Sequence, residues 1–216
     1  MSVEEILLTG SSELGLSLSE LQLKQLATYL ESLKYWNTKI NLTSVRDDKE
    51  IAIKHFLDSI TIAPFISDSS TVLDIGSGAG FPGIPLRILN PTLKVTLIES
   101  TEKKVFFMKH VIRELELEGI TAVCGRAGDE VEGLGGLRFD CVVTRSVGSI
   151  RCVVELAVPY LDAGGSVVLM RGKRGVKEWE EAKDKVTEGF DLSELRELSL
   201  PFGGGQRVIL VLERKG

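Results

Sequence analysis

The feature that most constrains this chain is a short apolar run, Thr71-Val72-Leu73-Asp74-Ile75, that leads directly into four glycines, Gly76, Gly78, Gly80 and Gly83. A brief apolar run closed by glycines reads as a buried strand. Pro82 and Pro85 suit the first turn of a helix, and Asn90-Pro91 ends it. A strand that passes through a glycine turn into a helix is the opening unit of a doubly wound sheet.

The rest of the chain continues that alternation. Strands are expected at 94–99, 120–124, 139–145 and 166–170, and helices at 102–119, 150–161 and 176–185. The 102–119 helix is expected to close at Gly119, and Ala163-Gly164-Gly165 to form a turn. Two further strands, around 195–200 and 206–213, are separated only by Pro201-Phe202-Gly203-Gly204-Gly205. With no helix between them, a final antiparallel strand is the simplest arrangement. Residues 1–65 read as a helical extension and 66–216 as the α/β domain. Within the extension, Ser17 and Glu20 have capping-box spacing, and Leu23, Leu26, Leu30 and Leu33 recur at helical period with Trp36 beyond them. A second helix is expected from Asp48 to Ile60, stopping near Pro64. Phe106, Phe107 and Met108 read as core, and the three cysteines as buried.

Composition removes whole classes of function. The net charge of -5 argues against holding naked nucleic acid by bulk electrostatics, although a local basic patch stays open. The first 70 residues carry 6 basic and 10 acidic side chains, leaving 20 and 21 for the remainder, so cations are concentrated after the first third. No apolar run reaches the ~18 residues of a membrane span, and the acidic start lacks a basic leader region. Cys124, Cys141 and Cys152 form no CxxC pair, which argues against a zinc cluster and for a reducing, cytoplasmic setting. No membrane partner is expected, and the chain is expected to be a monomer.

The chemistry should gather where the strands end. Asp74-x-Gly76-x-Gly78-x-Gly80 puts glycines where a ligand would touch main chain. Glu99, 21 residues past Gly78, ends the second strand, where a carboxylate can accept both hydroxyls of an adenosyl ribose. A nicotinamide site would want G-x-G-x-x-G, and Phe81 stands where its third glycine belongs. Asp74 is better explained by a cofactor bearing an amino group, which favours S-adenosylmethionine. Arg126 to Asp129 follow the third strand, and Thr144-Arg145-Ser146 follow the fourth. Arg145 there can pair with phosphate or base edges. Basic residues next to strand ends, Lys103, Arg171, Lys173 and Arg174, suit an RNA-facing rim. His55 and Asp58 sit three apart on the second helix. They serve either packing or the acceptor side of the site.

Together these segments resemble the ribosomal RNA small-subunit methyltransferase G family, also called glucose-inhibited division protein B. The likeness runs from about Leu30 onward. It is carried by Trp36-Asn37 with Asn41-Leu42-Thr43, by His55-Phe56-Leu57-Asp58-Ser59, by Asp74 through Gly83, by Leu97-Ile98-Glu99-Ser100 with Lys103-Lys104, and by Phe139-Asp140 leading to Arg145. The resemblance implies a class I S-adenosylmethionine-dependent (Rossmann-like) fold and methyl transfer to N7 of one guanine in 16S ribosomal RNA, as free RNA or within the small subunit. It also implies cofactor contacts at Gly76, Phe81, Ala127, Gly128 and Arg145, with Glu99 on the ribose. The chain departs from the family pattern at Gly128, where glutamate is usual, at Thr144 and Ser146 beside Arg145, and in its more basic 171–174 run. Two other readings stay open: a methyltransferase for small molecules or proteins, and a non-catalytic nucleotide-binding regulator.

Overall fold

The computed structural model describes residues 1–216. Helices α1 (Val3–Glu13) and α2 (Glu20–Asn37) are followed by α3 (Asp48–Ile51), a π-helical turn (Ala52–Leu57) and α4 (Asp58–Ile60). The sheet region then runs β1 (Thr71–Ile75), α5 (Gly83–Leu89), β2 (Lys94–Glu99), α6 (Glu102–Glu114), β3 (Ile120–Cys124), β4 (Phe139–Arg145), α7 (Ile150–Ala157), β5 (Leu161–Gly172), α8 (Gly175–Val186), β6 (Phe190–Leu200) and β7 (Gly205–Arg214).

The seven strands lie in the order β3-β2-β1-β4-β5-β7-β6. β7 is antiparallel to both its neighbours, β5 and β6, while the pairings among β1 to β5 are parallel. The order reverses between β1 and β4, which opens a crevice beyond their carboxyl ends. Parallel strands need both faces covered, and both are. Leu26, Tyr29, Phe56, Ile84, Phe107 and Met108 share one core with Val72, Val95, Val143 and Val168. Ile150, Val153, Trp179 and Phe190 pack with Leu73, Val142, Val167 and Leu169 on the other face. The first helices therefore share the core of one sheet face. No helix is long and apolar enough to cross a membrane.

Several boundaries differ from the sequence reading. The box that opens α2 is Ser19 with Gln22, not Ser17 with Glu20: Gln22 N donates to Ser19 Oγ at 3.3 Å and Ser19 N to Gln22 Oε1 at 2.8 Å. That register buries Leu18 and Leu23 on either side of the cap, the hydrophobic staple that fixes the entry of the chain. Helix α6 ends at Glu114 rather than Gly119. Glu116 turns left-handed (φ 51), Glu116 N donates to Arg113 O at 3.2 Å and Leu117 N to Ile112 O at 3.0 Å. This is a Schellman closure with glutamate in the usual glycine position. Helix α7 gives way at Ala157 to a 3-10 turn, Val158–Tyr160, and β5 starts at Leu161, so Ala163-Gly164-Gly165 lies within a strand. Only Cys141 is buried; Cys124 ends the edge strand β3 and Cys152 faces outward on α7. Phe107 and Met108 are core, but Phe106 is exposed, since it points away from the stripe formed by Val105, Phe107, Met108 and Val111.

Candidate active site

The turn after β1 is shaped by glycines, some needed for a left-handed backbone and some for lack of room for a side chain. Gly76 has φ +71, and a Cβ there would stand 2.6 Å from Val147 Cγ2. Gly78 has φ +60 and faces nearly open space, so its main chain is bare toward the crevice. Gly83, the first residue of α5, packs so closely that a Cβ would meet Leu97 Cδ2 at 2.3 Å and Asp74 Oδ2 at 2.9 Å. That closeness explains Asp74. Its carboxylate is fully buried beneath the turn, with Oδ2 accepting from Gly83 N at 2.9 Å and Oδ1 left without a partner. In the structure Asp74 lies beneath the glycine turn and anchors it through Gly83 N, while Gly76, Ser77 and Gly78 above it line the cleft.

Burial raises the Asp74 carboxyl to about 7. A carboxyl with a raised folded value favours the fold most at low pH and loses that contribution as pH climbs from the unfolded range through about 7. Asp74→Asn keeps an acceptor for Gly83 N and removes the ionisation. The variant is expected to be more stable than the parent at pH 8 by about 2 kcal/mol, and to show little advantage at pH 4. Denaturant unfolding at the two pH values measures this; a pH-independent difference would reassign the buried carboxyl.

Above the turn lies a cleft of about 410 Å³. Its walls come from Leu42 and Thr43, from Lys54, His55 and Asp58, from Gly76 to Phe81, from Arg145 and Ser146 after β4, from Met170 to Gly172 at the end of β5, and from Arg207 on β7. Lys54, His55 and Asp58 share one face by helical spacing, on and just after a π-helical turn, a distortion frequent at functional sites. Asn37 braces the preceding loop, accepting from Leu42 N at 2.8 Å and Thr43 N at 3.1 Å.

A polar network closes one side. Asp58, with a 4% exposed side chain, takes Arg207 Nε at 2.8 Å on one oxygen and Arg145 Nη1 at 3.3 Å on the other. Arg145 Nη1 also donates to Lys54 O at 3.0 Å and lies 3.3 Å from His55 Nδ1. The His55 ring stacks on Phe81 at 4.9 Å, and the Arg145 guanidinium lies 5.1 Å from the same ring. His55 Nε2 is 2.8 Å from Thr43 Oγ1. Burial, and then the neighbouring Arg145 charge, lower His55 to about 4, so it is neutral near pH 7. Ser146, directly after Arg145, holds a left-handed φ of 59. Strain of this kind recurs at ligand sites.

The structure thus brings Gly76, Gly78, Phe81, His55, Asp58, Arg145 and Arg171 to one cleft. Glu99 sits on its flank: Oε2 accepts from Gly78 N at 3.1 Å and Oε1 from Thr101 N at 2.9 Å. Ala127 is buried after β3, and Gly128 borders a separate hollow with Asp129 and Tyr160. Lys103, Lys173 and Arg174 are exposed. Arg171 is not the rim residue expected. It is 8% exposed, because β5 continues through Gly172 and pairs Arg171 with Val208; its Nη1 donates to Gly148 O at 2.8 Å. The sequence reading missed Arg207 entirely. The only trace was a lone cation before the apolar run Val208 to Leu212, which fits a strand end as readily as a site.

A glycine turn with bare main chain, a carboxylate one strand over and a guanidinium after β4 can hold a polar, adenosyl-type molecule along the carboxyl edge of β1, β2 and β3. Comparison with known proteins gives this arrangement a context. The family model described as rRNA small subunit methyltransferase G matches residues 22–209. A protein named ribosomal RNA small subunit methyltransferase G from Geotalea uraniireducens (strain Rf4) is 40% identical over 214 residues, covering 99% of this chain and 97% of that one. One of the same name from Acetivibrio thermocellus is 38% identical over 218 residues, covering 99% and 89%. Among solved structures, a methyltransferase from Pyrococcus furiosus superposes with TM-score 0.63 at 17% identity, over 89% of this chain and 99% of that one. The tRNA methyltransferase TrmK of B. subtilis gives 0.58 at 22% identity, over 76% and 68%. These likenesses show a class I methyltransferase fold.

Proposed function

The chain belongs to the rRNA small subunit methyltransferase G family, and from that membership we propose that it transfers the methyl group of S-adenosylmethionine to N7 of one guanine in 16S ribosomal RNA. The observation that carries the reading is the cleft at the reversal of strand order, where bare main chain at Gly76 and Gly78 meets the Arg145–Asp58–His55 wall. The cofactor, when bound, supplies a methyl group made electrophilic by its sulfonium.

The residues present fit that molecule. The unpaired space beside Gly78 admits it to the backbone, and Glu99, already oriented by Gly78 N and Thr101 N, keeps lone pairs for the ribose hydroxyls. Ala127 and Gly128, at the end of the next strand, lie where adenine would extend. With Gly128 in place of the family glutamate, the adenine contact falls to main chain or to Asp129. Phe81 and Arg145 face the transferred group.

Guanine N7 has a free lone pair and carries no proton, so the chain need not supply a base before attack. Neutral His55 agrees with this: it orients and fills rather than titrates. Orientation and exclusion of water supply the acceleration. Asp58 fixes the guanidinium of Arg145 from one side and Arg207 from the other, so the wall facing the guanine is set before RNA arrives. N7 lies on the major-groove edge of a base pair, so the guanine must be unpaired or turned out to enter. Exposed Lys103, Lys173 and Arg174 would contact RNA phosphates. We place the reaction in the cytoplasm and the active chain as a monomer.

The test is labelled methyl transfer to small ribosomal subunits, and to free 16S RNA, from cells lacking this protein, followed by mapping of the modified nucleotide. Label at N7 of a single guanine is expected. Turnover on small molecules or protein without ribosomal particles, or cofactor binding with no transfer, would overturn the reading.

A further inference from the structure

The turn between β6 and β7 stands at the same edge of the sheet as the cleft. β6 runs in the same direction as β5 with β7 between them, Leu200 faces Gly205, and Arg207 faces Gly172 at the end of β5. At the tip of this turn Phe202 does two things that folding alone disfavours. It holds a left-handed backbone (φ 55, ψ 29), which a bulky residue seldom adopts, and as a large apolar residue it is left 41% exposed.

The support beneath the ring is firm. Pro201 is buried, Gly204 N donates to Pro201 O at 3.1 Å, and Gly204 lies so close to the π-helical turn that a Cβ would stand 2.4 Å from Ile53 Cγ2. Helix α1 packs against the same turn. Next to it, a polar groove of about 210 Å³ is bordered by Lys173, Ser199, Gln206 and Arg207, with Glu197 its one carboxylate. Arg207 borders both this groove and the cleft, so it stands at the junction of the two.

An exposed aromatic ring on a rigid turn, beside a polar groove bordered by Lys173 and by Arg207 at the margin of the cleft, has the parts of a single-stranded nucleic acid track: a face for a base and polar, cationic contacts for the backbone. We infer that Phe202 is the stacking platform for a nucleobase flanking the methylated guanine, with the adjoining phosphates following the Lys173–Arg207 groove. The inference rests on the RNA reading above and adds the path by which the strand leaves the cleft.

Steady-state methyl transfer to undermethylated small subunits tests it with Phe202→Ala, Phe202→Tyr and Phe202→Gly. The alanine variant is expected to raise KM for the subunit about tenfold, with kcat and cofactor affinity within about twofold of the parent. Tyrosine restores the parent KM. Glycine follows alanine in KM yet unfolds no earlier than the parent, because it adopts this backbone freely. That separates base stacking from folding. An unchanged KM in Phe202→Ala, a loss confined to kcat or cofactor binding, or a tyrosine variant no better than alanine overturns the assignment while leaving the RNA reading standing. A parent protein inert toward subunits but active on another substrate overturns both.

Discussion

Replacing Asp58 with leucine is expected to lower stability by about 3 kcal/mol and methyl transfer by about two orders of magnitude. The carboxylate is almost wholly buried and has a guanidinium on each oxygen. Its removal leaves Arg145 and Arg207 without their common counter-charge inside the wall, and breaking a buried pair from one side costs about 3–5 kcal/mol. The lower end applies because both arginines keep some contact with water. Urea unfolding reads the stability and labelled transfer to subunits reads the rate. Asp58→Asn, which keeps shape and one acceptor, should fall between the two. Adding Arg207→Leu to Asp58→Leu should cost much less than the sum of the single changes. Additive losses would mean that the two side chains work independently, and the pre-set wall would have to be abandoned.

Gly76→Asp is expected to weaken S-adenosylmethionine binding by at least about 100-fold, roughly 2.7 kcal/mol, while costing only about 1–2 kcal/mol of stability. The backbone at this position is left-handed, and the space a Cβ needs is held by Val147. Aspartate tolerates that backbone better than most residues, so the chain should still fold. Its side chain, however, must push Val147 aside or turn into the space where main chain meets ligand. Calorimetric titration with the donor or its demethylated product measures the effect. Binding of parental strength in a folded variant would remove the glycine turn from the cofactor site.

Both predictions concern residues of different legibility. Gly76 announced itself, because a strand, a glycine turn and a helix are local patterns and the bounds of β1, β2, β3 and β4 follow directly from the apolar runs. Asp58 could be singled out by its spacing from His55, but not its partners. Arg207 lies 149 residues away, and no local signal ties the two together. Arg171 misled for a related reason. In a run with Lys173 and Arg174 it looks like a solvated cation, but the strand continues two residues beyond Met170 and carries it inside. The structural duty of Asp74 was not legible: an acid before a glycine turn suggests a ligand contact, and only the packing of Gly83 shows that it also props the turn from behind. Helix α6 ended early because its closing residue is a glutamate doing what glycine usually does.

The insertion of β7 between β5 and β6 has a consequence for biogenesis. The glycine turn and Glu99 come from β1, α5 and β2, whereas the wall opposite them needs Arg207, supplied by the strand that threads the sheet against its direction. A nascent chain still short of β7 would therefore lack one of the two guanidinium groups that fix Asp58. The acceptor-side wall is complete only when β7 has taken its place in the sheet.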